Sequence, residues 1–465
     1  MQCLLDRRRA YSTVPRLSTA FLFCVGAASA LGAVAPLVTP PAPSFSPQVG
    51  YTTGRHSAPR SVAIADLNDD GRSDLVTADY ASSAVSVLLN RGHGTFEATR
   101  NYRTGSFPVA IRIGDLNRDG RVDLATVNSF TNTVTTFLNR GDGGFDSRHE
   151  YRSDKQPLSL AIGDLTGDGK PELVTGNAYL ADPRSRNPGT ISVFVNTGDG
   201  VFRPRRDFDV GGFPRSVALH DVNGDGTLDL ATANRNAGTA SVFINRGDAS
   251  FEPRRDYRAG SAPRELQIGD VDGDGSPDLV TANTQTHRIS VLLNEGSGRF
   301  RAVRSHRFGA DAPYAIALGD LNGDRKPDLA SVNECSDTPA SAVTNLGDGS
   351  FGAKIDYRTG ICPHAVAIGD LNGDGKNDLV TANFVSDNVS VLINTPGRCT
   401  VQYVVRMGLV AAKRATIRAN CRVGTIRRSY SRFGPRGTVV AQKPRFGSVL
   451  PMGGKVSLVV SRGHR

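Results

Sequence analysis

Seven clusters of oxygen-bearing side chains are the part of this sequence best equipped for chemistry. The first reads Asp66-Leu67-Asn68-Asp69-Asp70-Gly71-Arg72-Ser73-Asp74. Positions 1, 3, 5 and 9 of this loop offer side-chain oxygens, position 7 offers a backbone carbonyl, and glycine at position 6 allows the sharp bend. Hard oxygen donors on a short turn suit Ca²⁺. The remaining candidate ligand sets are Asp115, Asn117, Asp119, Arg121, Asp123; Asp164, Thr166, Asp168, Lys170, Glu172; Asp221, Asn223, Asp225, Thr227, Asp229; Asp270, Asp272, Asp274, Ser276, Asp278; Asp320, Asn322, Asp324, Lys326, Asp328; and Asp370, Asn372, Asp374, Lys376, Asp378. In the first set Asp66, Asn68, Asp70 and Asp74 are joined by the carbonyl of Arg72.

A turn of Asp, Asn and Gly needs no metal, so one such loop would decide little. Seven loops that each crowd three or four acidic groups are another matter, because packed carboxylates repel without a cation. An EF-hand would place Glu at position 12; here that position is Thr77, Thr126, Thr175, Thr232, Thr281, Ser331 and Thr381. The fifth loop carries the most charge and is expected to bind best. The sixth has Arg325 in place of glycine, which strains the bend if it needs positive φ and adds repulsion, so weak or no binding is expected there.

These loops must be positioned by repeated elements. Their first residues are separated by 49, 49, 57, 49, 50 and 50 positions, and a proline stands seven residues before each: Pro59, Pro108, Pro157, Pro214, Pro263, Pro313 and Pro363. One copy shows the unit. Arg60–Ala65 alternates apolar and polar residues as a strand does, the loop follows, and Leu75–Ala78 and Ala84–Leu89 read as the second and third strands. Asn90-Arg91-Gly92-His93-Gly94 reads as a tight turn and Phe96–Tyr102 as the fourth strand. Four short strands repeated seven times predict an all-β seven-bladed β-propeller. A fourth strand also stands at Phe45–Tyr51, before the first loop, while none follows Val389–Ile393. The N-terminal strand is therefore expected to close the last blade.

This pattern resembles the VCBS/FG-GAP repeat family, the calcium-loop propellers also seen in integrin α heads. The resemblance covers about 350 residues and implies fold and metal more than function. The last 67 residues resemble a PASTA domain, through Met407-Gly408-Leu409, Ala412-Lys413, Cys421, Val423-Gly424, Ser429, Gly437, Gln442, Pro444, Gly447, Gly453 and Val456–Ser461. Leu409–Asn420 has helix length, and Gly- and Pro-punctuated strands follow it, giving a small α+β unit. In that family single modules bind peptidoglycan variably. The expected division is an export signal at 1–35, a linker at 36–44, the propeller at 45–397 and the PASTA-like domain at 399–465.

Charge supports that division. From Cys399 to Arg465 there are 14 Lys and Arg and no Asp or Glu, whereas the whole chain has 55 basic and 45 acidic residues. A mildly acidic body is thus joined to a strongly basic tail. Arg7, Arg8, Arg9 and Arg16 precede an apolar stretch, Leu17–Ala35, with Ala28-Ser29-Ala30 and Ala33-Val34-Ala35 as small-residue cleavage sites. Retention as an anchor is the alternative; after cleavage no membrane span is expected. Four cysteines would remain in two local pairs, which in an exported chain points to disulfides Cys335–Cys362 and Cys399–Cys421. No CxxC accompanies them, which argues against zinc.

Several motifs are discounted. Gly347–Gly352 matches GxGxxG, and Arg140-Gly141-Asp142 and Arg246-Gly247-Asp248 spell an adhesion tripeptide, but all belong to the repeat's turn. His56, His93, His149, His220, His287, His306 and His364 form no spaced cluster and read as surface groups. Variable loops on a rigid scaffold usually carry binding. The connections after second strands vary most, so Tyr179, Arg184, Arg186, Phe130, Arg235, Asn236, His287 and Phe384 are the candidate ligand face, opposite the metal loops. The expectation is an exported, monomeric Ca²⁺-binding propeller, non-catalytic, that binds or adheres at the cell envelope. Its expected partner is an anionic cell-wall polymer, glycan or surface protein rather than nucleic acid. Two alternatives stay open: a polysaccharide lyase or hydrolase, favoured by acid, His and Tyr side chains around the central channel, and a structural spacer.

Overall fold

The computed structural model describes residues 42–464 apart from 179–188, 302–303, 309–311, 334, 338, 396–398, 402, 419–420 and 451–453. The export segment and most of the linker lie outside these residues, as do Tyr179, Arg184 and Arg186. Among the described residues, no helix is long and apolar enough to cross a membrane.

Seven four-stranded antiparallel sheets make up the body. Blade one consists of Pro59–Ala65, Asp74–Asp79, Ala84–Leu88 and Arg100–Arg103, in that spatial order. The first strands of successive blades contact one another, and Pro363–Gly369 of blade seven contacts Pro59–Ala65 of blade one, so the ring closes. The last blade is completed by Val49–Thr52, whose Tyr51 faces Val389 on the third strand. A ring joined this way leaves only short outer edges and ties both ends of the propeller to one blade.

The second strands explain why the sheets stack. Asp74–Asp79 and its six equivalents are buried at every residue, with small side chains that let neighbouring blades approach. Apolar clusters then form between blades: Val62, Leu75, Leu88 and Phe96 of blade one pack with Leu371, Val380, Val389 and Val391 of blade seven. Each such side chain contributes about 1.5–3 kcal/mol when buried.

In blade two the fourth strand runs unbroken from Phe145 to Arg152, as expected, but in blade one it is corrected. Phe96 does not begin it; Thr95–Phe96 instead folds back on Asn90–Gly92, and the outer strand starts at Arg100. Likewise Phe45 makes only a bridge to Asn394, and the closing strand starts at Val49. Phe96 is drawn into the seam between blades, edge-on to Tyr51 with ring centroids 5.2 Å apart; Phe145 packs on Tyr102 in the same way without breaking its strand.

The C-terminal unit has a helix at Leu409–Arg418, with 419–420 outside the described residues. Its sheet pairs Arg422–Ser429 in parallel with Lys455–Ser461, which also pairs antiparallel with Val439–Lys443. Val401, Val404, Ala412, Cys421, Val439, Val456, Leu458 and Val460 form its small core. Cys421 is disulfide-bonded; the side chain of its expected partner, Cys399, lies outside the described residues.

Candidate metal loops and the mouth of the central channel

Each acidic loop is shaped by its first residue. In loop one, Asp66 Oδ1 accepts from the backbone N–H groups of Asn68 and Asp70, and Oδ2 accepts from Gly71 N at 2.7 Å. The position-6 residue adopts positive φ in every loop, from Gly71 (78°) to Arg325 (68°). Arg325 therefore does hold the left-handed conformation that glycine supplies elsewhere, and its N–H still reaches Asp320 Oδ2 at 2.8 Å. Position 4 is left-handed as well, including the non-glycine residues Asp69 (57°) and Arg118 (64°), which the spacing argument missed.

Position 9 is the fixed point. Asp74 is fully buried, with Oδ2 accepting Leu67 N at 2.9 Å and Oδ1 accepting Asn90 N at 2.7 Å. Burial pushes its carboxyl up to about 6, with repulsion from Asp70 and Asp66 adding to the shift. The equivalents Asp123, Asp229, Asp278 and Asp378 are pushed to about 6 and Asp328 to about 7 for the same reason, and Glu172 is raised too.

These donors fit a hard cation. In loop five, oxygens of Asp270, Asp272 and Asp278 lie within 4.8 Å of one another, a span that bonds of about 2.3–2.6 Å to one Ca²⁺ can bridge. In loop one, Asn68 Oδ1 is buried with no hydrogen-bond donor among the described residues. Basic side chains at position 7 compete for the same carboxylates: Lys170 Nζ sits 3.0 Å from Asp168 and Lys376 Nζ 3.7 Å from Asp374, and Arg72 pairs with Asp70. Loops four and five have Thr227 and Ser276 there and so keep their negative charge uncompensated at that position.

The loops also bolt blades together. Asn139 Nδ2 of blade two donates to Leu67 O in loop one and to Val122 O in its own loop, both at 2.9 Å. Asn196, Asn245, Asn294 and Asn394 reach back to Leu116, Leu165, Val222 and Leu321 in the same way. Asn90 reaches Leu371, across the closure.

Profile comparison matches this repeated strand–loop–strand unit to the FG-GAP-like repeat at residues 66–126, 115–175, 179–232, 221–281, 270–331 and 320–381. The chain belongs to the FG-GAP-like repeat family. An FG-GAP repeat also matches residues 157–194, and a PASTA domain matches 400–462, so the chain combines the repeats with a PASTA domain. Curated protein sequences include no match. Among solved structures, the N-terminal part of BBS1 in complex with ARL6 is similar at 12% identity and TM-score 0.53, over 76% of this chain and 97% of that one. A catalytically inactive virginiamycin B lyase from Staphylococcus aureus with quinupristin is similar at 13% identity and TM-score 0.52, over 76% and 100%. A lectin from Agrocybe aegerita that recognises non-reducing terminal N-acetylglucosamine shares 23% identity at TM-score 0.47, over 63% and 79%. At these identities the first two show the fold.

The face of the FG-GAP-like propeller away from the loops is built where second-to-third connections meet fourth-to-first ones, as in Tyr80 N to Ala58 O (3.1 Å) and Phe384 N to Cys362 O (3.0 Å). Cys335 and Cys362 are bonded there. The expected ligand-face residues divide. Phe130 stands over Phe107 at 5.4 Å and Phe384 stacks on His364 at 4.4 Å, at the channel mouth. Arg235 is coupled electrostatically to Arg215 in the channel. His287 lines a separate shallow pocket with Arg288 and Arg307, and Asn236 is exposed.

The sequence reading raised the central channel only for the enzyme alternative and named none of the residues that line it. A cavity of about 460 Å³ is lined by all seven first strands and holds Arg60, Arg112, Arg215, Arg264, Glu265, Tyr314 and His364. His364 is therefore no surface group; its ring lies between Tyr314 (4.6 Å) and Phe384. Five of these seven residues directly follow the repeat's proline, at a position that reads Arg, Val, Leu, Arg, Arg, Tyr and His from blade one to blade seven. Aligning the copies on that proline would have exposed the ring.

Proposed function

We propose that this protein is exported, binds Ca²⁺ through its FG-GAP loops, and acts as a non-catalytic binding or adhesion protein at the cell envelope, with the basic PASTA domain engaging anionic wall polymers. The observation that carries this reading is the division of labour between the two faces. Oxygen-rich loops on one side tie neighbouring blades together, and the opposite side presents varied side chains around an open channel. The disulfide between Cys335 and Cys362 supports an oxidising compartment. The 14 cations of the tail, with no acid among them, suit a polyanion.

A glycan and wall-polymer array tests the proposal. Calcium-dependent retention of the full chain on one polymer class is expected, and equal, non-selective signal with and without chelator would contradict it. A second reading has one observation behind it: Glu265, Tyr314 and His364 share the channel cavity, the acid, Tyr and His set that an enzyme would need. Turnover of a bound polysaccharide that Glu265→Gln abolishes would favour it.

A further inference from the structure

The channel cavity holds four arginines, Arg60, Arg112, Arg215 and Arg264, against a single acidic residue, Glu265. They come from blades one, two, four and five, so the ring itself gathers them. Glu265 is the shared counter-ion of Arg112, Arg264 and Arg215, and its carboxylate also takes long contacts from Ser216 (3.5 Å) and Gln267 (3.4 Å). One carboxylate cannot balance four guanidinium groups, and three positive charges remain in excess within the cavity.

Arg215 is the most exceptional of the four. No described residue forms a hydrogen bond or salt bridge with its guanidinium; Glu265 favours its charge from a distance, whereas Arg60 and Arg235 oppose it. Enclosure by the channel wall lowers its pKa to about 10. Arg215 is half-buried on the channel wall, so its charge is partly desolvated without a hydrogen-bonded partner among the described residues, which is costly to a fold. Among the described residues Arg60 is held similarly, by an aromatic face, with its guanidinium carbon 5.0 Å from the Tyr80 ring centre.

Around the mouth runs an arc of rings. Phe130 meets Phe107, Phe107 stacks on Tyr80 at 4.6 Å, Tyr80 approaches Phe384, and Phe384 stacks on His364 beside Tyr314. Phe130, at the outer end, is 70% exposed, whereas Tyr314 is buried under Arg264. Cationic forks below and apolar ring faces above describe a site for a ligand with an oxyanion at one end and a flat, partly apolar body at the other. The cavity volume lies in the range of small-ligand sites.

We propose that the channel mouth binds the acidic terminal sugar of a saccharide. The sugar's carboxylate or phosphate enters between Arg60 and Arg215, and the ring rests against the aromatic arc. This deepens the binding function proposed above and rests on it, and it places recognition at the channel instead of the connection after blade three's second strand.

Calorimetric titration of the full chain, in calcium-containing buffer, with glucuronate, a glucose phosphate, glucose and inorganic phosphate tests the assignment. At least one charged sugar should bind about tenfold or more tighter than glucose, and Arg215→Gln and Arg60→Gln should each weaken it by about tenfold or more. Which of the two charged sugars binds better separates carboxylate from phosphate recognition. Arg288→Gln, beside the separate His287 pocket, should leave the affinity unchanged. Arg215→Gln should melt at or above the temperature of the unsubstituted protein, because it removes an enclosed charge; a clear fall in melting temperature would assign Arg215 a structural role and overturn the proposal. So would equal affinity for glucose and the charged sugars, unchanged affinity in both arginine variants, or no binding of any anion. Inorganic phosphate binding as tightly as the glucose phosphate would overturn the saccharide part. Calcium-dependent melting, measured in the same samples, reports on the metal loops separately, so either reading can fail alone.

Discussion

Asp79 stands where the other six blades have Asn128, Asn177, Asn234, Asn283, Asn333 and Asn383. It is fully buried between the hydroxyls of Thr77 and Ser86, and burial, with repulsion from Asp387, pushes its carboxyl up to about 7. A carboxyl raised in the folded state binds protons that the unfolded chain releases, so between about pH 4 and pH 7 stability falls as pH rises. Below that window the proton is bound in both states and the penalty vanishes. Asp79→Asn keeps the shape and removes the charge. It should stabilise the protein by about 1–3 kcal/mol above pH 7 and do almost nothing at pH 4; thermal melts of both proteins across that window check this. Arg325 offers a second test at the same scale. Its φ of 68° costs about 1–2 kcal/mol for a residue with a Cβ, part of which glycine returns through unfolded-chain entropy. Arg325→Gly should therefore raise stability by about 0.5 kcal/mol and increase metal affinity at the sixth loop, read by melting with and without calcium.

Among elements, the ties between blades matter most. Elsewhere the link between one blade's second-to-third connection and the entry to the next is a hydrogen bond, as from Gln156 N to Asn132 Oδ1 at 2.7 Å. Between blades six and seven it is the covalent Cys335–Cys362 bond, which closes a segment of 27 residues. Chain-entropy arguments give it about 3 kcal/mol, so Cys335→Ser with Cys362→Ser should melt well below the native protein by that order. On the opposite face, Asn139→Ala would strip donors from the Leu67 and Val122 carbonyls, and a loss of about 1–3 kcal/mol in denaturant melts is expected. The blades themselves were legible because Asp, Gly and Pro recur at fixed offsets that local backbone geometry demands. The broken fourth strand of blade one was not, because Phe96 has strand propensity and blade two, with the same ring packing at Phe145, keeps its strand whole. The channel cluster was hidden for a related reason: Arg60 and Arg215 are separated by three blades in sequence, and only ring closure turns both toward one cavity.

For the whole molecule, closure, the acidic loops and stability form one system. Every position-9 acid holds the loop of its own blade and the turn that reaches the blade before it, as Asp74 does through Leu67 and Asn90, whose amide reaches Leu371. A cation bound among Asp66, Asn68, Asp70 and Asp74 would therefore stiffen a junction between blades rather than a loose surface turn. Ligand that binds only the folded state adds RT ln(1 + [L]/Kd) per site. With the Kd of about 10⁻⁴–10⁻³ M of extracellular modules, millimolar calcium would contribute about 0.4–1.4 kcal/mol for each loop it filled. Loops four and five, free of a basic residue at position 7, should fill first. The decisive measurement is calorimetric melting of the full chain in chelator, in magnesium and in calcium. The account predicts a melting temperature that climbs with calcium over the millimolar range, responds less to magnesium, and loses much of its increment in Asp270→Asn with Asp272→Asn. An identical melting temperature in chelator and in calcium would contradict it.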